Sequence, residues 1–221
     1  RDATCPACKA TGPMADYWNH NTAYHAELLD SVPPSGGDVL DIGCGDGLLV
    51  EKLATKATRV IGLDPDPRAI NQARRLLTET PNAQVVLGSF LTAPELDGQS
   101  FDLITCVATL HHMPLFAALE QMNAKLKPGG GLCIVGLSAN KTAWDWIVSG
   151  VHVLPIRLLS KLRGESGYPG MTVARPSESL AEIRHISRTV LPGRRVRRRF
   201  WCRYTLTVSY THLTLPTKRI V

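Results

Sequence analysis

The run Val39-Leu40-Asp41-Ile42-Gly43-Cys44-Gly45-Asp46-Gly47 constrains this chain more than any other stretch. A short strand-like segment passes into a loop in which every second residue is glycine, and a helical pattern follows. Glycine lets such a loop turn tightly and lets a ligand approach without a Cβ in the way. The helix behind it offers N–H groups that lack intrahelical partners. Alone the pattern is unspecific, because dinucleotide-binding proteins place G-x-G-x-x-G at the same point. Here the spacing is G-x-G-x-G, Asp41 ends the strand where a diphosphate would be repelled, and Asp46 adds a second carboxylate at the helix start. Two carboxylates suit a ligand that carries positive charge.

From residue 38 onward, short apolar runs alternate with helical stretches. Strands are expected at 38–42, 59–63, 84–87, 101–107 and 132–137, and helices at 46–55, 67–79 and 115–126. Such alternation predicts a mostly parallel sheet buried on both faces. Right-handed crossovers then give an α/β, Rossmann-like doubly wound fold in a single domain. Residues 15–31 read as a helical segment broken by Val32-Pro33-Pro34, giving a cap over 14–36 ahead of a ligand-binding core at 37–139. The rhythm breaks at 140–190. This stretch reads as a small insertion on the substrate side, with Trp144, Trp146 and His152 either shaping a pocket or filling core, and with a helix at 177–186. Residues 191–207 form a basic, extended terminal segment.

Both ends look foreign to the rest. Residues 1–13 lack periodicity and read as upstream sequence. Residues 208–221 resemble the translation of a transposase adapter used in sequencing libraries, while Thr205–Val208 also alternates as a natural terminal strand would. The 221 residues carry a net charge of +6. Setting aside 1–13 and 209–221, which hold +1 and +2, leaves +3, a weak basis for a nucleic-acid partner. Of the six cysteines, Cys44, Cys106 and Cys133 lie in apolar runs, and Cys5-x-x-Cys8 lacks a second pair at zinc spacing. No metal is expected. No apolar stretch approaches the roughly 20 residues of a membrane span, and the first residues lack the apolar run of a signal peptide, so the cytoplasm is the expected location.

The second informative run is Val60-Ile61-Gly62-Leu63-Asp64-Pro65-Asp66, with Asp64 ending a strand 17 positions after Gly47. A carboxylate there can accept both hydroxyls of a ribose. Its bland alternative is an N-cap for the next helix. Together these runs resemble the first two motifs of the class I S-adenosylmethionine-dependent methyltransferases, and later segments follow in order: Gly88-Ser89-Phe90, Phe101–Val107, Leu110-His111-His112-Met113 and Leu126–Gly131. The resemblance is strong over about 36–137 and closest to bacterial small-molecule enzymes. It implies S-adenosylmethionine as cofactor, cradled by Asp41, Gly43, Cys44, Gly45 and Gly47, with Asp64 and Pro65 at the ribose. Ser89 and Phe90 would flank the adenine, although an acidic residue is usual at the position of Ser89. Cys106 and Val107 would line the floor, and Tyr24 would close over the donor.

Methyl transfer from a sulfonium is an in-line displacement in which positioning supplies much of the rate. A base is needed only if the acceptor must lose a proton, and His111 and His112, after the fourth strand, are the candidates. Their bland role is one structural hydrogen bond and one solvated ring. His20 and His25 lie five apart without a third metal ligand. The run Arg194–Tyr204 interleaves cations with aromatics and invites a nucleic-acid reading, but a charged edge strand explains it as well, with Arg198 exposed or paired. The expected partner is a small-molecule acceptor. A nicotinamide-dependent oxidoreductase and an RNA or protein methyltransferase remain the alternatives, with a degenerate binding module behind them.

Overall fold

A computed structural model of the chain describes residues 17–143, 145–147, 150, 174–199 and 203–209. The foreign-looking residues 1–13 and 210–221, and with them Cys5 and Cys8, lie outside these, as do Cys202, Trp144 and His152.

Parallel strands β1 (Asp38–Ile42), β2 (Arg59–Asp64), β3 (Ala83–Leu87), β4 (Phe101–Val107) and β5 (Leu126–Gly136) are joined by helices α2 (Leu48–Ala54), α3 (Pro67–Leu76) and α4 (Leu115–Ala124). Before them stands α1 (His25–Leu29); after them come α5 (Leu180–Val190), β6 (Arg195–Arg199) and β7 (Arg203–Ser209). The seven strands run in the order β3-β2-β1-β4-β5-β7-β6, and β7 is antiparallel to both its neighbours. The order reverses between β1 and β4, which opens a crevice at the carboxyl ends of these strands.

The period-2 alternation of each strand sorts residues to two faces. Leu40, Ile42, Ile104, Cys106, Ile134 and Leu206 pack with α4 and α5. Val39, Val60, Leu103 and Val135 pack with α1, α2 and α3. Burying both faces explains why these strands read as nearly continuous apolar runs.

Several boundaries differ from the sequence expectation. The opening segment is a short 3-10 turn, Thr22–Tyr24, followed by the five-residue α1, and Tyr17–Asn21 are not helical. Lys127-Pro128-Gly129-Gly130 looks like a turn in sequence, yet β5 runs through it from Leu126, with a register shift opposite Phe101 and Leu103 that absorbs the irregular residues. α5 starts later than expected because Ser179, not Pro176, ends the loop: its hydroxyl accepts from Glu182 N–H while the Glu182 carboxylate accepts from Ser179 N–H.

The arginine-rich end forms the sheet's outer hairpin. Arg198 donates to Asp145 Oδ1 at 2.8 Å, Arg199 pairs with Glu27, and Arg203 donates to Asn21 Oδ1 at 3.0 Å. With Arg194, which donates to Ser187 Oγ and Arg184 O, four cations of the run are thus engaged within the molecule, while Arg195 and Arg197 are exposed on the edge strand. Among the described residues no helix is long and apolar enough to cross a membrane.

Candidate active site

The glycine loop lies over the crevice, and its glycines answer to the protein's own packing. Gly43 has φ +74°, and a Cβ there would collide with the Thr109 side chain. Gly47 has φ +87°, and its Cβ would sit 2.9 Å from Cβ of Ala73 on α3. The loop's amides are also engaged. Gly43 and Cys44 N–H donate to Leu63 O at 2.7 and 3.1 Å, Gly45 N–H to Asp64 Oδ2 at 2.9 Å, and Gly47 N–H to Cys44 O at 3.0 Å. Four loop amides are therefore held by the protein itself, and the loop sets carboxylates against the crevice.

Asp41, Asp46, Asp64 and Asp66 all line this cleft, together with Tyr17, Asn19, Asn21, Thr22 and His25 from the opening segment and Val107, Ala108, Thr109 and His112 from the end of β4. Ala108 has φ +52°, a left-handed conformation rare outside glycine, at the bend where β4 leaves the sheet. Asp41 is buried and accepts from Thr105 Oγ at 2.7 Å. Burial pushes its carboxyl up to about 7, and the neighbouring Asp64 charge adds to this. Asp46 is 3% exposed. Its Oδ1 accepts from Tyr17 OH at 3.2 Å, and its Oδ2 has no hydrogen-bond partner among the described residues. Burial raises this carboxyl as well. Asp64 accepts from Gly45 and Asp66 N–H, one per oxygen, leaving lone pairs for two further donors. The N-cap role that competed for Asp64 belongs to Asp66, which accepts from Arg68 N–H at 2.8 Å.

The structure brings Asp41, Gly43, Cys44, Gly45, Asp64, Pro65, Val107 and His112 to one cleft. It does not bring all the expected residues there. Cys106 is fully buried on the opposite face of β4, against α4, because successive strand residues alternate. Phe90 is 2% exposed within that same core, and Ser89 is exposed outside the cleft lining. Gly47 packs against α3 behind the loop. Tyr24 is turned beneath the 3-10 turn onto β5 and β7, where it lines a separate cavity with Cys133, Thr205 and Thr207 and carries the Arg199 guanidinium 5.9 Å above its ring. Tyr17 occupies the place over the cleft that Tyr24 was expected to fill. His111 and His112 lie with ring centroids 4.3 Å apart, but only His112 faces the cleft. Burial, with His112 and Arg203 nearby, lowers His111 to about 4.

Sequence reasoning missed Tyr17, Asn19, Asn21, Thr22 and His25 as wall residues because it read 15–31 as one helical cap, whereas residues 17–21 are irregular or turn and bring Tyr17, Asn19 and Asn21 to the cleft. Thr109 was legible only as the residue after a strand end. Trp146 is 66% exposed, which removes the core-filling reading for it.

A methyltransferase-domain family model matches residues 39–130, the span from β1 to the bulge in β5. An uncharacterized methyltransferase of Mycobacterium tuberculosis (strain ATCC 25618 / H37Rv) is 31% identical over 202 residues, covering 88% of this chain and 98% of that protein. The chain belongs to the methyltransferase family. A ubiquinone biosynthesis O-methyltransferase of Albidiferax ferrireducens is 30% identical over 190 residues, covering 82% of this chain and 73% of its own. In fold, this methyltransferase resembles the YcgJ protein of Bacillus subtilis, with a TM-score of 0.59 at 20% identity over 80% of this chain and 70% of that one.

The enzyme is S-adenosylmethionine-dependent, and its cleft fits that cofactor. The orphaned Asp46 oxygen and the buried Asp41 carboxyl call for hydrogen-bond donors and positive charge, and Asp64 has room for two hydroxyls. The methyl donor brings an ammonium, a sulfonium and a ribose. A dinucleotide would set its diphosphate against four carboxylates and against loop glycines whose amides are already engaged.

Proposed function

We propose that this methyltransferase acts on a small-molecule acceptor that enters beside His112, with donor-binding roles assigned to Asp41, Asp46 and Asp64. The observation that carries the donor roles is the buried Asp46 Oδ2, unpartnered among the described residues, in the same cleft as the buried Asp41. Bound S-adenosylmethionine supplies a methyl group on a sulfonium that departs as a neutral thioether. Asp41 and Asp46 meet the ammonium end and compensate its desolvation, as buried charges require a partner. Asp64 accepts from the ribose hydroxyls while its other lone pairs fix Gly45 and Asp66. Tyr17 and the segment to Thr22 cover the cleft and exclude water.

His112 is exposed at the wall and free to take a proton from an oxygen or nitrogen acceptor. His111, pushed down to about 4, stays neutral near pH 7 and is a weak base. The small-molecule reading is favoured over RNA or protein because three arginines of the basic run, Arg198, Arg199 and Arg203, are engaged with Asp145, Glu27 and Asn21, and no arginine lines the cleft among the described residues.

Calorimetry with S-adenosylhomocysteine and with NAD tests the donor site. Binding of the first alone is expected; binding of NAD alone overturns the reading. A screen of small-molecule acceptors with labelled methyl donor then identifies the acceptor, and transfer only to RNA or protein would overturn the small-molecule assignment.

A further inference from the structure

Thr105 is the sole threonine in the apolar strand Phe101–Val107, and it is fully buried. The register of the sheet explains what it does there. Asp41 on β1 has Gly62 of β2 on one side and Thr105 of β4 on the other. Gly62 has no side chain to offer, and the Cys44 side chain fills the space beside it, with Sγ 2.9 Å from where a Cβ would stand. Thr105 Oγ lies 2.7 Å from Asp41 Oδ1, against 3.4 Å from Leu40 O, so its single proton goes to the carboxylate. The other titratable groups that act on or feel Asp41 are Asp64 at the end of β2, Cys44 in the loop and Cys106 on β4, with Asp46 acting on Cys44 beside it. These are all acids, and no positive charge is among the causes acting on the Asp41 carboxyl; the cleft wall also carries the titratable Tyr17, His25, Asp66 and His112.

We propose that Thr105 is a positioning residue for cofactor binding: its hydroxyl holds the Asp41 carboxyl in one orientation and sets how readily that carboxyl gives up its proton when a cationic ligand arrives. The proposal rests on the donor reading above. Pushed up to about 7 by burial, the Asp41 carboxyl lies near the midpoint of its titration at neutral pH. An arriving ammonium pairs with the carboxylate, the O–H bond of the acid breaks, and the proton leaves to solvent. One proton is thus released for each protonated site that binds. Hydrogen bonding to the charged form favours ionisation, so the threonine lowers the cost of that release. Without it the acid is harder to ionise and free to rotate.

The test is calorimetry with S-adenosylhomocysteine from pH 5.5 to 8.5 in buffers of different ionisation enthalpy. The wild-type enzyme is expected to release most of one proton at pH 6 and little above pH 8, with affinity rising up to about pH 7 and flat beyond. Thr105→Val is expected to weaken binding about tenfold at pH 6.5 and to move the midpoint upward by about one pH unit, the same tenfold expressed as proton affinity. Thr105→Ser is expected to return both to near wild type. A merely structural threonine would leave the midpoint and proton count alone. An unchanged midpoint in Thr105→Val overturns the proposal. So does wild-type binding without proton release, which needs no variant to fold. Wild-type enzyme that fails to bind the ligand at any pH removes the donor reading and the proposal together, and is told apart from the other two outcomes by that.

Discussion

Tyr17 reaches across 29 positions of sequence to place its hydroxyl 3.2 Å from Asp46 Oδ1. It is the first described residue of the chain, and it touches the loop carboxylate whose other oxygen is buried and, among the described residues, unpartnered. The opening segment and the glycine loop are therefore joined at the cleft. Tyr17→Phe removes this bond and keeps the ring. A hydrogen bond to a charged group is worth about 1.5–3 kcal/mol at good geometry and less at this distance. Affinity for S-adenosylhomocysteine is expected to fall about 3- to 10-fold, read by calorimetry, with the melting temperature nearly unchanged because the residue is only half-buried.

Asp64 has two tasks at once, holding Gly45 and Asp66 by their amides and offering the remaining lone pairs to the cleft. Asp64→Ala is expected to lower donor affinity by at least about tenfold, the equivalent of ~1.4 kcal/mol. Equal affinity in the variant would remove the ribose role. Asp64→Asn cannot accept on both sides and is expected to lie between the two.

Asp41 is a stability cost carried for binding. Its folded-state value of about 7 lies above the ordinary carboxylate value of 3.8. A raised carboxyl is no burden below pH 4, where it is protonated folded and unfolded alike. The burden grows as pH rises from 4 to 7 and is constant beyond. Asp41→Asn is accordingly expected to be more stable than wild type at pH 8, by about 1–3 kcal/mol, and no more stable at pH 4. Denaturant titrations at the two pH values read the difference directly. The same variant should bind the methyl donor poorly.

His111 has the opposite sign. Its ring is pushed down to about 4 from 6.5, so the unfolded chain takes up a proton in a range where the folded one does not. Its contribution to stability is therefore lost as pH falls from 6.5 to 4. Because the ring is half-exposed, solvent screening makes the effect modest. His111→Gln is expected to flatten the acid side of the stability curve while leaving turnover near neutral pH largely intact. His112→Ala is expected to lower turnover with a proton-bearing acceptor and, by removing one of the charges that lower His111, to ease part of the acid-side loss.

Gly43→Ala combines a left-handed φ with a collision at Thr109, and is expected to destabilise the protein by about 2 kcal/mol or more. Adding Thr109→Gly should recover part of this by removing the obstacle, leaving the backbone strain behind. Equal instability of the single and double variants would show that the contact does not matter.

Much of the sheet was legible because buried strands announce themselves: Asp38–Ile42 and Phe101–Val107 follow directly from their apolar runs. What the sequence hides is how the faces are shared. Cys106 and Val107 are neighbours in an apolar run, and only the pleat decides that Val107 meets the cleft while Cys106 meets α4. Tyr24 and Tyr17 are both aromatic residues of the opening segment, and a 3-10 turn that no periodicity marks decides which one covers the site. The β5 bulge was misread because Pro128, Gly129 and Gly130 signal a turn locally, whereas pairing with β4 overrides that signal.

The β6–β7 hairpin is tied to the opening segment by Arg199 at Glu27 and by Arg203 at Asn21, and Asn21 also lines the cleft. The two ends of the described chain thus meet in one wall, and each has the other as its support. Local opening of the hairpin breaks contacts that also hold the opening segment, so the two openings are expected to be coupled. Amide protons of β7, none of which touches the ligand, should slow their exchange with solvent when the cleft is filled, making the last strand a distant reporter of occupancy.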